Sequence, residues 1–541
     1  MGSGQGKGSS ILRAFTPSRD VAAVMALALL LRIVWLTSVP PGLIPDELSI
    51  GYDAYSLLLT GEDMHNEPYP ILFLSLGEYK NPLYIYATIP SLMLFGLGPW
   101  GVRFPAVVFG TLGVGAAFVL GRALAGRQAG LAAALMLAVS PWHHHLSRVA
   151  WDPVPVPLFI ALGWYLLEAG LRGRRRAMLA APLPLALALY AYAIPRFFIP
   201  TFFAGVLFVR RDLVRARLND VLLALVVFAV LVAPLASTYV TMPEAANARF
   251  KLVSIFTEDV LMWQRSRYSD MGIESPTVLY TLQFVQNYLA HLHPDFLLLR
   301  GDTQVRYTTR VVGKLHLFEG LLLLAGIVHM ARARRPVHII LLWGLLLVPV
   351  AASLTIDRIP NSIRTTVALP FVQLAAAIGW TRLEPVLRDI GLKLPFLAVS
   401  CLLVGYYLGY YFTVYPADPS VNYYWDTGWD EVRDYLRDEE GSWDEVRIPD
   451  NIRRTDKFLQ FWTARDPVMT QRKSWEGTPY RITAPCTYRQ DGGRPGVLYM
   501  VYLQGWQLDE ACRFDDLGLV VRKNVTFPNG QTAFLFLARE G

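Results

Sequence analysis

The sequence predicts a mainly α-helical protein that threads a membrane many times and ends in a small α/β domain outside it. Three observations carry this expectation. The 541 residues are 53% hydrophobic, with a mean hydropathy of +0.34, which is too apolar for a soluble chain of this size. The apolar residues are gathered into runs, and those at 21–39, 221–240 and 394–414 are long enough to cross a hydrocarbon core of roughly 30 Å. From about Pro416 the composition turns polar and mixed, rich in Trp, Tyr, Asp and Arg.

The basic residues order the runs. "RALAGR" (122–127), "RGRRR" (172–176), "RRDLVRAR" (210–217), "ARARR" (331–335) and "TRLEPVLRDIGLK" (381–393) all lie between apolar segments. Such clusters mark the cytoplasmic side, so the net charge of +7 reflects topology and does not point to nucleic acid. Starting inside, the spans run 21–39, 103–121, 128–140, 155–170, 178–192, 197–209, 221–239, 311–330, 337–353, 365–380 and 394–414. Eleven crossings leave the C-terminal region outside. The stretch 82–98 does not fit this parity, and its Tyr84 and Tyr86, with Trp100 just beyond, suit a helix lying in the outer interface. "MGSGQGKGSS" lacks the layout of a signal peptide and is expected to be a short cytoplasmic tail. The expected division is therefore a tail at 1–20, a transmembrane module at 21–415 and an external domain at 416–541. In that domain "DTGWDEVRDYLRDEE" is expected to be a helix capped by Asp426 or Thr427. "GVLYMVYL" is expected to be a strand, and "LGLVVRKNVTFPNGQTAFLFLA" a hairpin turning at Asn529-Gly530. Cys486 and Cys512 share this region and can pair if it faces an oxidising compartment.

This topology gathers polar residues on one side. The first outer loop, opening with "PDELSIGYDAY", carries Asp46, Glu47, Tyr52 and Asp53, then Glu78, Tyr79 and Lys80 in "GEYKNPLYIY". The next holds His143, His144, His145, Arg148 and Asp152. The long outer loop contributes His291, His293, Asp295, Asp302 and Arg306, and a fourth loop Asp357, Arg358 and Arg364. Most loop carboxylates are polar only because water is there. Asp46 and Asp152 differ, because each sits directly beside an apolar segment, and ionisable groups at membrane depth tend to be functional. The three adjacent histidines point in different directions and make a poor metal site. No Walker or dinucleotide fingerprint occurs.

An Asp-Glu pair after the first span, then "EYKNPLY", "RFP", "GRALAG" and "SPWHHHLSRVAWD", resembles the GT-C glycosyltransferases. The resemblance is to bacterial relatives of the protein O-mannosyltransferases and the lipid A aminoarabinose transferase (glycosyltransferase family 39 type). It covers residues 20–155 well, and "FLLLRGDTQVRYTTRVVGKL", "RIPNSIRTTVALP" and the domain from "WDTGWDEVRDYL" look like later parts of the same group. Asn81 departs from the pattern, where two prolines often follow the lysine. The resemblance implies a GT-C fold in a bacterial inner membrane, a polyprenyl-phosphate-linked sugar as donor, and a lipid, glycan or protein as acceptor. It makes Asp46 the general base of an inverting transfer, with Glu47 supporting the loop and Asp152 orienting Lys80 or substrate. Lys80 and Arg148 become partners of the leaving phosphate. Tyr52, Asp53, Glu78, Tyr79, His143, His293, Asp302, Arg306, Arg358 and Arg364 are the further candidates for substrate contact. No cofactor is expected, since the branch resembled generally needs no divalent ion, although some GT-C enzymes do. The competing class is a transporter or flippase of lipid-linked sugars. It would place ionisable groups at mid-bilayer with internal repeats, whereas here the charges lie at the outer rim.

Overall fold

The computed structural model describes residues 18–540 apart from 76, 244, 246–250, 453, 473–476 and 504–511; residues 1–17 of the expected tail lie outside the described residues. Helices dominate to residue 417. They comprise α1 (Arg19–Ile33), α2 (Pro45–Thr60), α3 (Pro82–Phe95), α4 (Pro99–Ala125), α5 (Arg127–Val139), α6 (Pro141–Leu146), α7 (Val156–Leu171), α8 (Arg175–Ala180), α9 (Pro182–Ala191), α10 (Pro195–Val209), α11 (Arg211–Ala216) and α12 (Leu218–Thr241), followed by Glu258–Arg267, Pro276–Leu292, Leu317–Ala333, Pro336–Ser353, Leu369–Asp389 and Lys393–Gly409. A hairpin of β1 (Phe73–Ser75) and β2 (Glu78–Lys80) separates α2 from α3.

Among the described residues five helices are long and apolar enough to cross a membrane: Pro99–Ala125, Leu218–Thr241, Pro336–Ser353, Thr366–Asp389 and Lys393–Ala417. Their outward faces are apolar, as at Leu222, Leu225, Val226 and Val230 of α12. Such a surface is stable against hydrocarbon and not against water, so the chain is an integral membrane protein. Helices pack closely where side chains are absent. A Cβ on Gly379 would lie 1.9 Å from the Leu322 carbonyl oxygen, so this position fixes the approach of Leu369–Asp389 to Leu317–Ala333.

Three of the basic loops meet at one end of the bundle. Arg127 pairs with Asp20, and Arg172 reaches the Ala123 carbonyl at 3.2 Å. Glu168 takes Arg210 at 2.6 Å and Arg172 at 2.8 Å, while Arg175 meets Asp220 at 3.0 Å. At the other end, α3 stays against the first turns of α4: Tyr84 donates to the Val102 carbonyl, and Phe95 stacks on Trp100 and meets Phe104 at a tilt.

The long outer loop contains a helix, Pro276–Leu292, with a reversed face. Its polar Gln283, Asn287 and His291 are buried, with Asn287 donating to the Ser353 and Thr355 carbonyls, while Val285, Leu289 and Leu292 are exposed. The span expected from 311 begins only at Leu317, where Glu319 accepts from the His316 N–H at 2.9 Å and fixes the helix start.

The C-terminal region carries a five-stranded mixed sheet in the order β4-β3-β5-β7-β6, with β3 Glu445–Pro449, β4 Tyr480–Thr483, β5 Val497–Tyr502, β6 Leu519–Thr526 and β7 Thr532–Arg539. β6 and β7 form the expected hairpin. Cys486 and Cys512 are joined, with Cα atoms 5.4 Å apart. The helix Trp429–Asp438 forms, but neither Asp426 nor Thr427 caps it: its N-cap is Gly428 at φ 101°, a left-handed conformation that suits glycine. The sheet region docks on α2. Tyr52 donates to the Arg465 carbonyl at 2.9 Å and shares a hydrogen bond with Thr470. A Cβ on Gly51 would lie 2.6 Å from the Phe461 ring.

Candidate active site

Proline at the first position of α2 starts the helix, and Glu47 three residues past the Ile44 cap folds back to accept the Ile44 N–H at 3.3 Å. The remaining capacity of that carboxylate is filled from elsewhere. Arg103 of α4 donates to both oxygens at 2.8 and 3.0 Å, and the Ala150 N–H adds a third segment at 3.1 Å. The Glu47 and Arg103 side chains are both fully buried. The Glu47 carboxylate is thus fully engaged by Arg103 and two backbone N–H groups, next to Asp46 at the rim of a cavity.

Three segments converge there. Lys80, at the end of β2, donates to Asp46 Oδ1 at 2.5 Å. Asp152, just before α7, accepts from the Asn81 N–H at 3.4 Å, and its Oδ1 has no hydrogen-bond partner among the described residues. The cavity, of about 740 Å3, is lined by Asp46, Glu78, Tyr79, Lys80 and Asp152 on one side and by Arg196, Arg306, Arg358, Arg364 and Arg454 on others. Among the described residues six cationic and four acidic side chains line it, so they favour an anion. Burial opposes the charge of Lys80, but Asp46 and then Asp152 outweigh it and hold the ammonium above its ordinary range. Burial pushes the Asp152 carboxyl up to about 6 against the pull of Lys80.

The arginines are not equally available. Arg306 donates to the Tyr424 carbonyl, Arg358 to the Tyr307 hydroxyl, and Arg364 to Thr355 and Asp357. Arg196 lies over the Tyr239 ring at 4.7 Å and donates to Asn81 Oδ1, and its Nε has no partner among the described residues. No expectation named Arg196. Its signal was an arginine at the non-basic end of a span, where the charge rule predicts few.

Other expected site residues are elsewhere. Arg148 is fully buried and donates to the Leu31, Val34 and Val39 carbonyls at 2.6, 2.7 and 2.7 Å. It satisfies the bare C-terminal end of α1, so it is not free to hold a phosphate. His143 faces Arg32 at 2.8 Å, His144 the Tyr407 hydroxyl and Leu31 carbonyl, and His145 Tyr411 and the Arg306 carbonyl. The three histidines diverge, and no group of three His, Cys, Asp or Glu side chains suited to a metal occurs among the described residues. Tyr52 is spent on the C-terminal region. Asp53 is buried against Ser49 and the Met64 N–H. Asp302 pairs with Lys314 and accepts from the Ser362 N–H, and the exposed His293 accepts from the Asp295 N–H. None of these reaches the cavity wall.

A family model described as dolichyl-phosphate-mannose-protein mannosyltransferase matches residues 80–237. The chain is similar in fold to ArnT from Cupriavidus metallidurans in the apo state, at 15% identity over 95% of this chain and 97% of that one, with a TM-score of 0.56. The same protein bound to undecaprenyl phosphate matches at 15% identity, the same coverage and a TM-score of 0.56. No curated protein sequence matches significantly.

Proposed function

We infer that this chain, a GT-C-fold membrane protein related to the protein mannosyltransferases and ArnT, is a glycosyltransferase that moves a monosaccharide from a polyprenyl-phosphate donor to an acceptor hydroxyl. The observation that carries the reading is the Asp46–Lys80 pair beside Asp152, at the mouth of a cavity with an excess of cations. In the proposed step the acceptor oxygen attacks the anomeric carbon and gives its proton to Asp46. The bond from that carbon to the phosphate oxygen breaks with its electron pair, and the polyprenyl phosphate leaves with inversion at carbon. Lys80 and Arg196 receive the phosphate charge, replacing the role first expected for Arg148. Asp152 orients Lys80, and the cavity walls hold donor and acceptor in line.

Eleven crossings, a cytoplasmic N-terminus and an external C-terminal region in a bacterial inner membrane complete the proposal, with residues 21–415 as the catalytic module and 416–541 as the external domain. The alternation of basic-end and cavity-end contacts along the chain supports it. The test is mass spectrometry of purified protein in lipid nanodiscs, offered a panel of polyprenyl-phosphate sugars with lipid, glycan and peptide acceptors. Transfer that appears with wild type and disappears with Asp46→Asn supports the reading. No transfer from any polyprenyl-phosphate sugar to any acceptor overturns it.

A further inference from the structure

A second cavity, of about 690 Å3, lies within the C-terminal region. Its walls combine flat aromatic faces, Trp443, Trp462 and Tyr480, with charged groups at their edges, among them Arg433, Glu439 and Asp466. The aromatics are held in place. The Trp443 indole donates to Glu439 Oε2 at 3.0 Å, and the Arg433 guanidinium sits over the Trp462 ring at 5.2 Å. Trp462 is 8% exposed, and its indole N–H has no hydrogen-bond partner among the described residues. A buried donor left this way is uncommon in a folded protein.

We propose that this cavity is a saccharide-binding cleft that holds the acceptor. A sugar ring presents an apolar C–H face and a rim of hydroxyls. Indole and phenol faces suit the first, while guanidinium and carboxylate groups suit pairs of neighbouring hydroxyls. A polyprenyl chain does not fit a lining with this many charges, and the carboxylates repel a nucleic acid backbone. The position fits an acceptor as well. Phe461 lines this cavity and packs on Gly51 of α2, whose neighbour Ile50 lines the first cavity, so one helix wall separates the two. Leu97, in the α3–α4 turn beside exposed Met93 and Leu94, forms part of the rim, which places the cleft by the membrane surface. Assignment to the acceptor rests on the glycosyltransferase reading; binding of saccharide does not.

The test uses full-length protein in nanodiscs and short fluorescent linear oligosaccharides of mannose, galactose, glucose and arabinose, free and coupled to a lipid, with fluorescence anisotropy as readout. Wild type should bind at least one of them, and Asp46→Asn should bind it equally while losing transfer. Trp443→Ala and Trp462→Ala should weaken binding by roughly tenfold or more and raise the acceptor KM while leaving the donor KM unchanged. If the alanine variants do not fold, as judged by thermal unfolding, Arg433→Gln and Glu439→Gln at the rim carry the same comparison. Preference for the lipid-coupled sugar assigns the cleft to a glycolipid, and equal affinity to a glycan on a soluble carrier. Folded wild type that binds none of these sugars in either form, or variants that bind as wild type does, overturns the cleft. Saccharide binding without any transfer leaves the cleft standing and removes the acceptor role.

Discussion

Asp46 and Glu47 are adjacent carboxylates with opposite environments. The side chain of Asp46 is 38% exposed and holds Lys80; Glu47 is sealed behind Arg103 and two backbone N–H groups. Asp46→Asn keeps size and polarity but removes the basic oxygen, so transfer should fall by about 10²-fold or more with donor affinity little changed, as read by separate kcat and donor-binding measurements. Asp152 predicts a pH dependence. Burial raises its carboxyl to about 6, so it is ionised above that pH and supports Lys80, and it takes up a proton below. Transfer should decline as pH drops through about 6, and Asp152→Asn should flatten this limb in a pH–rate profile. The same shift acts oppositely on folding: a raised native pKa favours stability at low pH, and that contribution is lost as pH rises through about 6. Asp46 and Asp152 were legible because each sits at the boundary of an apolar run, and Lys80 through the motif "EYKNPLY" that carries the resemblance. Arg148 and His143 share that boundary, but their partners are the Leu31 carbonyl and Arg32, more than a hundred positions away, and spacing cannot reveal such pairings.

At the scale of elements, α2 joins the site to the rest of the protein. Its first turn is tied to α4 and to the segment before α7 through Glu47, and its middle is clamped by Phe461 and Thr470. Glu47→Ala leaves the fully buried Arg103 without its carboxylate, which should cost about 3–5 kcal/mol. It should appear as a lowered unfolding midpoint in detergent together with weakened transfer. Glu47→Gln, which keeps the hydrogen-bond acceptor, should cost less, and the ordering of the two variants checks that the carboxylate is structural. The long spans were readable from hydropathy alone. Pro276–Leu292 was not, because apolar periodicity identifies a stripe without saying whether core or lipid meets it. Here the apolar side faces out and Gln283, Asn287 and His291 face in. The Gly428 cap was hidden for a similar reason: Asp426 and Thr427 are good capping residues by type, yet the backbone turns at the residue after them.

Across the whole molecule, charge and depth are segregated. Arg127, Arg172, Arg175 and Arg210 meet their partners at one end, while Lys80, Arg196 and Arg306 line the cavity at the other. If the positive-inside rule sets the orientation, the cavity and the C-terminal sheet share the external side. Three exposed positions test this: Thr303 near the cavity end, Ser442 in the C-terminal region and Gly173 in a basic loop. Each is changed to cysteine singly in a Cys401→Ser background, because Cys401 is the free thiol and Cys486 and Cys512 are paired. A membrane-impermeant maleimide applied to intact cells should label positions 303 and 442 and should reach 173 only after permeabilisation. Labelling of 173 alone inverts the orientation. Labelling of 303 and 442 from opposite sides breaks the proposed parity, since the path from one to the other contains four proposed crossings, Leu317–Ala333, Pro336–Ser353, Thr366–Asp389 and Lys393–Ala417. Those four carry the chain back to the side it left, so both positions must answer alike.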